Sequence, residues 1–337
     1  MALRIAINGF GRIGRAAFKI IKEKNDCSVV AINDLADVQT LAHLLRYDTT
    51  YGRFAYPVTS RENALVVDGE VYPVSAIADA HNLPWKEHNV DVVLECTGHF
   101  ARGDGAAAHI DAGAQRVVVS APIKDNPSAE TYLIGVNDQH LSDTKSNVVS
   151  NASCTTNSVA PVMQVLSKAF GVAKGMVTTV HAYTASQNLH DGPHKDLRLS
   201  RAAAQNIIPT TTGAARATAE VLPELVGKFD GMAVRVPVLT VSLTDLTILL
   251  QRDVTAKEVN AALISAAASP ELSGILGVTD EPVVSSDFIG DKRSSIVDLS
   301  LTKVVDGNLV KVVAWYDNEW GYAHRLVELA QEIGKGL

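Results

Sequence analysis

Gly9-Phe-Gly11-Arg-Ile-Gly14 lies between an apolar run, Arg4–Asn8, and a segment, Arg12–Lys24, that carries Ile13, Ala17, Ile20 and Ile21 at helical spacing. The order is strand, glycine turn, helix. Each glycine has its own task there: Gly9 permits the tight turn, Gly11 lets the backbone approach a pyrophosphate, and Gly14 lets the helix pack closely on the strand. The helix N-terminus adds free N–H groups and a positive dipole, both suited to phosphate. Alone, the glycine pattern is weak. It gains weight from Asp34, which closes a second apolar run, Val29–Asn33, 20 residues after Gly14, where a carboxylate meets ribose hydroxyls. The plainer alternative is a glycine turn followed by an unrelated turn aspartate, and meeting both context tests counts against it. A carboxylate at Asp34 accepts from a ribose 2′-OH and repels a 2′-phosphate. The residues that follow, Leu35-Ala-Asp37, bring no cation, so NAD is favoured over NADP.

Further continuous apolar runs follow at Val90–Glu95, Gln115–Ser120 and Tyr132–Val136. Such runs suit strands buried on both faces of a parallel sheet. The strand–helix alternation predicts a doubly wound α/β, Rossmann-type domain over residues 1–153. After about Ser150 the character changes. Cys154–Phe170 reads as a helix and Gly175–Tyr183 as a β-branched strand. Ala233–Gln251, Ile296–Lys303 and Leu309–Tyr316 add alternating strands, and Thr255-Ala-Lys-Glu258 is a capping box that opens a helix. Strands clustered with few helices predict an α+β domain with a mostly antiparallel sheet over 154–318. A last helix within 319–337 is expected to pack back on the first domain. Thr184–Ile208 is a long polar segment, and such loops are usually functional.

The bulk numbers agree with two domains: 337 residues are many for one core. A net charge of −7 argues against a nucleic-acid-binding surface. Three cysteines, Cys27, Cys96 and Cys154, with no C-x-x-C or H-E-x-x-H, make neither a disulfide framework nor a zinc site, so no metal is expected. Free thiols suit a reducing compartment. No secretory signal and no membrane-length apolar stretch is visible, so the expectation is a cytoplasmic protein without membrane or nucleic-acid partners.

The chemistry is read at Ser153-Cys154-Thr155-Thr156-Asn157, at the predicted helix N-terminus. A thiol there feels the helix dipole, which favours thiolate and lowers its pKa. A buried structural cysteine is the commoner fate of a lone cysteine, but the polar flanks speak against it. Cys27 and Cys96 sit in apolar or strand contexts and are read as structural. A nucleophilic cysteine needs a base. Of ten histidines, His181 ends the β-branched strand and opens the polar loop, a position suited to catalysis.

Taken together, Ala6-Ile-Asn-Gly-Phe-Gly-Arg-Ile-Gly-Arg15, Ser150-Asn-Ala-Ser-Cys-Thr-Thr-Asn157, His181-Ala-Tyr-Thr184, Pro209-Thr-Thr-Thr-Gly-Ala-Ala215 and Trp315-Tyr-Asp-Asn-Glu-Trp-Gly-Tyr322 resemble phosphorylating glyceraldehyde-3-phosphate dehydrogenases. The likeness runs from residue 4 to the end of the chain. It implies an enzyme that takes glyceraldehyde 3-phosphate, NAD and inorganic phosphate, works through a thioester, and assembles as a homotetramer with the long loop packing across subunits. Cys154 is implied as nucleophile and His181 as acid/base. Gly9, Gly11, Arg12, Ile13, Gly14, Asp34, Thr97, Ser120, Asn318 and Tyr322 are implied at NAD, with Ser120 and Asn318 on the nicotinamide side and Tyr322 flanking that ring. Thr184 and Arg235 are implied at the substrate phosphate, and Ser153, Thr155, Thr212 and Gly213 at inorganic phosphate.

Two stretches depart from the family pattern. An Arg-Asp-Pro common before Asn-Leu-Pro-Trp reads Ala78-Asp79-Ala80-His81 here, ahead of Asn82-Leu-Pro-Trp85, so an adenosine-side arginine is missing. Lys-Asp-Leu-Arg-Arg in the long loop reads Lys195-Asp-Leu-Arg198-Leu199, so one cation of the anion region is missing. A sister activity, erythrose-4-phosphate dehydrogenase with water as acyl acceptor, stays open through Ala36-Asp37 and Leu199. Thr210-Thr-Thr-Gly213 and His181-Ala-Tyr-Thr184 speak for the phosphate-using branch. A catalytically silent NAD-binding or redox-sensing protein is the reading from another class, and Cys154 with His181 argues against it.

Overall fold

A computed structural model describes residues 2–101, 105–123, 130–335 and 337. The chain divides into two compact units, Met1–Ala152 with Ala323–Leu337, and Ser153–Tyr322.

The first unit is built on a nine-stranded sheet. Its order is Glu130–Thr131, Val148–Ser150, Arg116–Val119, Val92–Glu95, Leu3–Asn8, Cys27–Asn33, Glu70–Ser75, Ala64–Val67, Val58–Arg61. From Glu130 to Ser75 all neighbours are parallel; the last two strands join by antiparallel hairpins. The central strands are buried along most of their length, which is why they read as continuous apolar runs. The order reverses at Leu3–Asn8: one neighbour is the next strand in the chain and the other comes much later. A crevice opens at the carboxyl ends of strands at such a switch point, and Gly9 starts there. Gly9 has φ +90°, and a Cβ on it would meet Thr97 N at 2.7 Å. A Cβ on Gly14 would lie 2.1 Å from Gly9 O, because the helix Arg12–Lys22 packs directly onto the turn.

Three features differ from the sequence expectation. Tyr132–Val136 is not a strand. Only Glu130–Thr131 pairs, and the run then turns at Gly135 (φ +81°), where Asn137 Oδ1 accepts from Leu133 N at 2.8 Å in place of a ladder partner. A helix, Val38–Arg46, stands where none was expected, capped by Asp37, whose side chain accepts from Thr40 N at 2.8 Å. The hairpins at 58–75 were likewise not expected.

The second unit carries an eight-stranded sheet ordered Ile208–Thr211, Phe229–Val236, Val172–Ala182, Ser242–Leu250, Leu309–Tyr316, Ser295–Asp298, Leu276–Thr279, with Lys303–Val305 also on Leu309–Tyr316. Pairing is antiparallel except for Val172–Ala182 with Phe229–Val236 and Leu276–Thr279 with Ser295–Asp298, so the sheet is mostly antiparallel as expected. The helix Cys154–Phe170 packs on this sheet and against the helices Ala214–Val221 and Ala256–Ala267. Its residues Thr155–Leu166 are all buried, which marks it as a central helix rather than an amphipathic surface one. Thr255 and Glu258 form the expected capping box.

Candidate active site

Ser153 caps the central helix. Its Oγ accepts from Thr156 N at 3.0 Å and pairs with Thr156 Oγ1 at 2.7 Å, the behaviour that makes serine a strong N-cap. Cys154 is therefore fixed as the first helical residue, and it remains partly open to solvent. His181 is the second-last residue of the strand Val172–Ala182, and its Nε2 lies 3.4 Å from Cys154 Sγ. In the parallel pairing, His181 stands opposite Arg235, so the two side chains share a face of the sheet. Arg235 Nη1 donates to Ala182 O at 2.9 Å and also touches His181 Nδ1. His181 Nδ1 itself lies 2.7 Å from Ala182 O.

This arrangement offers the ring two settings. With Nδ1–H donating to Ala182 O, Nε2 is free to take the thiol proton. With Nδ1 accepting from Arg235, Nε2–H faces the sulfur. Those are the two tautomers of the neutral ring, and the first is the one whose Nε2 can take the thiol proton and, as imidazolium, give it back.

The electrostatics correct one expectation. Burial pushes the Cys154 thiol up rather than down, and the Arg235 charge and hydrogen bonding at Thr155 only partly offset it. His181 is pulled down to about 3, first by burial and then by Arg235, against the pull of Ala182 O. A charge formed alone on either group is disfavoured. A proton moved from Sγ to Nε2 makes two opposite charges at once, which compensate each other, so ionisation belongs to the pair.

Beneath the pair is a buried hydroxyl network in which Tyr316, Thr179 and Ser242 have no role in the sequence reading. Tyr316 OH meets Thr155 Oγ1 at 2.8 Å and Thr179 Oγ1 at 2.9 Å, and its ring stands edge-on to His181 at 6.1 Å. Thr179 precedes His181 by two residues and so shares its face. Ser242, paired with Tyr316 across the sheet, accepts from Ala182 N at 3.1 Å and donates to Asn318 Oδ1 at 2.9 Å. Asp317 fixes the segment that carries Asn318 by accepting from Gly290 N at 2.9 Å, Glu319 N at 3.0 Å and Trp320 N at 2.9 Å.

The remaining residues expected at an anion fall into two sets. The hydroxyls of Ser153 and Thr155 lie against Thr156 Oγ1 at 2.7 Å and Tyr316 OH at 2.8 Å. Arg235 Nε is buried and has no partner among the described residues. Thr212 Oγ1 accepts from Ala214 N at 3.2 Å, and Gly213 is the exposed N-cap of the helix Ala214–Val221. Thr184 Oγ1 pairs with Ser186 Oγ at 2.9 Å at the start of the long loop.

In the first unit a cavity of about 560 Å³ is lined by residues that include Gly9, Gly11, Asp34, Cys96 and Thr97. A Cβ on Gly11 would meet nothing within 4 Å, so this glycine leaves open space where a ligand's backbone contact belongs. Asp34 accepts from Phe10 N at 2.7 Å and Ala36 N at 2.9 Å, which ties the carboxylate to the glycine turn. Arg12 is held by Asp48 at 2.8 Å, Ile13 is half-buried beside it, and Ser120 follows the strand Arg116–Val119. Ile77 and Ala78 line the wall where the family's arginine would be expected. Cys96 lines the cavity too, but burial and the neighbouring Glu95 charge push its thiol up; burial also pushes the Cys27 thiol up, to about 11. Tyr322 is buried, on the last helix. Among the described residues no His/Cys/Asp/Glu group could hold a metal ion, and no helix is long and apolar enough to cross a membrane.

Comparison with known proteins bears on both units. Residues 3–103 match the family model described as glyceraldehyde 3-phosphate dehydrogenase, NAD binding domain, and residues 153–318 match its C-terminal domain. The chain is 53% identical to a glyceraldehyde-3-phosphate dehydrogenase of Geobacillus stearothermophilus over 338 residues, covering 100% of both. It is 52% identical to one of Streptomyces coelicolor, again with 100% coverage of both, and 50% identical to glyceraldehyde-3-phosphate dehydrogenase 1 of Bacillus subtilis, covering 99% of both.

Proposed function

The chain belongs to the glyceraldehyde-3-phosphate dehydrogenase family, and from that premise we propose that it oxidises glyceraldehyde 3-phosphate with NAD and inorganic phosphate to an acyl phosphate, through a thioester on Cys154. The observation that carries the reading is the 3.4 Å contact between Cys154 Sγ and His181 Nε2, at the N-terminus of a buried helix.

The reaction follows from the pair. His181 Nε2 takes the thiol proton as Sγ adds to the aldehyde carbon. The same nitrogen returns the proton to the oxyanion, which gives a thiohemiacetal. His181 then removes the hydroxyl proton as the carbon is oxidised to the thioester. NAD, when bound, supplies the hydride acceptor for that oxidation. Inorganic phosphate attacks the thioester, Sγ leaves, and the acyl phosphate departs. Covalent catalysis divides one hard step into two and keeps the oxidation energy in the thioester. The partnerless Arg235 Nε supports this guanidinium as a ligand of the substrate phosphate, with Thr184 on the adjoining loop. The exposed Thr212–Gly213 helix N-cap is the stronger candidate for inorganic phosphate.

The first unit holds NAD in this reading. Gly9, Gly11, Arg12, Ile13 and Gly14 take the pyrophosphate end, Asp34 the adenosine ribose, Thr97 the cavity wall, and Ser120 the nicotinamide side. Asn318 and Tyr322 serve the nicotinamide. The free space at Gly11 and the carboxylate of Asp34 fit a dinucleotide with an unmodified 2′-OH. A cytoplasmic homotetramer completes the proposal. It is supported by Leu189, Leu197 and Ile207, which expose 75%, 81% and 72% of their surface on one loop and so call for cover.

The test is NADH production from glyceraldehyde 3-phosphate. It should be one enzyme-equivalent burst without phosphate or arsenate, and sustained with either. Sustained turnover without any such anion would make water the acceptor and overturn the phosphate-using reading.

A further inference from the structure

Behind the cavity wall of the first unit runs a chain of hydrogen bonds that the proposed reaction does not use. At one end, Asn33 Oδ1 accepts from Ile77 N and from Ser75 Oγ, both at 2.9 Å, and Asn33 Nδ2 donates to Ile77 O at 2.9 Å. A backbone N–H can only donate and a carbonyl only accept, so this amide has one possible orientation. Asn33 Nδ2 also donates to Asn8 Oδ1 at 2.8 Å. Asn8 therefore presents its own Nδ2 to Glu95 Oε2 and donates there.

The other end is fixed just as firmly. The Trp85 indole N–H, a donor only, meets His109 Nδ1 at 2.9 Å. His109 then carries its proton on Nε2 and donates to Glu95 Oε2 at 3.0 Å. Thr97 completes the set. Its N donates to Glu95 Oε1 at 2.7 Å, and its hydroxyl, which accepts from His99 N at 3.0 Å, keeps its own proton for the same carboxylate oxygen.

Donors thus converge on Glu95 from Asn8, His109 and both N–H and O–H of Thr97, while Glu95 itself is 1% exposed. Both of its oxygens therefore serve as acceptors, each with two donors. Hanging from it are residues of the cavity wall. Asn8, Asn33, Ile77 and Thr97 belong to the chain of bonds, and Phe100 takes the edge of His109 at 5.6 Å. Thr97 N is also the atom nearest the missing Cβ of Gly9, so any shift of Thr97 is felt in the glycine turn.

The geometry points to Glu95 as a positioning residue for the dinucleotide: one buried acceptor that sets Asn8, Thr97 and, through Asn8, Asn33 in the wall of the cavity. This rests on NAD occupying that cavity. Removing the acceptor leaves the strand ends paired but frees the side chains that shape the wall, so cofactor affinity falls while the thiol chemistry of the second unit stays.

The experiment is calorimetric titration of the full-length protein with NAD, beside thermal melting and the rate of Cys154 alkylation in the absence of NAD. Glu95→Gln sets an amide N–H2 against groups that donate. A folded Glu95→Gln protein should bind NAD about tenfold or more weakly, as expected for losing hydrogen bonds to a buried acceptor, with unchanged Cys154 alkylation. Wild-type NAD affinity in that variant overturns the proposal, as does a parallel loss of alkylation, which would mean general damage. Should Glu95→Gln not fold, the His109 variants decide. His109→Gln can offer a carbonyl to Trp85 and an N–H to Glu95, and it should keep its affinity where His109→Leu loses it; equal affinities overturn the proposal. Failure of the wild-type protein to bind NAD at all would instead overturn the reading of the cavity, and this inference with it.

Discussion

The hydroxyl of Thr155 and the phenol of Tyr316, 161 residues apart in sequence, meet at 2.8 Å. The contact joins the residue after Cys154 to the strand Leu309–Tyr316, which is separated from the strand that carries His181 by Ser242–Leu250. Tyr316→Phe would leave buried hydroxyls at Thr155 and Thr179 short of a partner, a loss of ~1–3 kcal/mol. Denaturant unfolding should show that loss, and iodoacetamide should react with Cys154 at an altered rate. A stability change with unaltered alkylation would limit Tyr316 to packing.

Cys154 should be alkylated by one equivalent of iodoacetamide before Cys27 or Cys96, with loss of activity, because it alone has a base, His181 Nε2, at 3.4 Å and the Arg235 charge nearby, whereas Asp26 and Glu95 add to the upward push of burial on the other two. His181→Asn should slow that reaction and lower turnover by roughly 10²–10⁴-fold, the usual worth of a positioned acid/base. Labelling elsewhere with activity retained would exclude Cys154 as the nucleophile.

His181 also makes stability depend on pH. Its pKa in the folded chain is pulled down to about 3 from 6.5, so between those values the unfolded chain binds a proton that the folded chain refuses. Stability from this group is complete above about pH 6.5 and falls as pH drops towards 3, by up to ~1.4 kcal/mol per pH unit. Acidic side chains add their own slope, so the quantity to measure is wild type minus His181→Asn. A difference that is flat from pH 6 to 4 would contradict the assignment.

Asp34 is held against the glycine turn by Phe10 N and Ala36 N. Asp34→Ala should weaken NAD and relieve repulsion of a 2′-phosphate, moving the NADP-to-NAD preference by roughly 10–100-fold, the scale of a hydrogen bond to a charged group. Wild-type preference for NADP in steady-state assays would refute this reading.

Leu199 stands where the family usually has an arginine, next to the exposed Arg198. A missing charge-assisted hydrogen bond is worth ~1.5–3 kcal/mol. Phosphate KM should therefore be raised, and Leu199→Arg should lower it with kcat little changed. An unchanged phosphate KM would place residue 199 away from the acyl acceptor.

Much of this was legible in the sequence because it depends on local pattern. The glycine turn with Asp34, the helix from Cys154 to Phe170 and the strand Leu309–Tyr316 follow from spacing and capping alone. One clear local signal passed unused. Asp68-Gly69, with φ +53° and +81°, joins Ala64–Val67 to Glu70–Ser75 and is the dipeptide expected of a tight hairpin. Asp37 ahead of Thr40 was a readable N-cap of the same kind. Other features could not be read at all. Tyr316 gains its role from Thr155 on the central helix and Thr179 on another strand, and Glu95 from Asn8 in register across the sheet and His109 on the helix Ala108–Asp111, contacts made only in the packed unit. The thiol's environment was misread for a related reason: a helix N-terminus is visible in sequence, but the burial that outweighs it is a property of the packed unit.

The three glycines of the turn divide the work of folding from the work of recognition. Gly9 and Gly14 are demanded by the protein's own atoms, since a methyl group there would strike Thr97 N at 2.7 Å or Gly9 O at 2.1 Å. Gly11 has an ordinary backbone conformation, φ −71°, and nothing within 4 Å of an added Cβ. Mutational tolerance should split accordingly. Alanine at 9 or 14 should lower the melting temperature of the chain, whereas Gly11→Ala should melt like the wild type, its added methyl projecting into open space. On the proposed reading that one methyl should abolish NAD binding and leave the thiol intact, a reagent for separating what this protein does as an enzyme from whatever it does merely by being present.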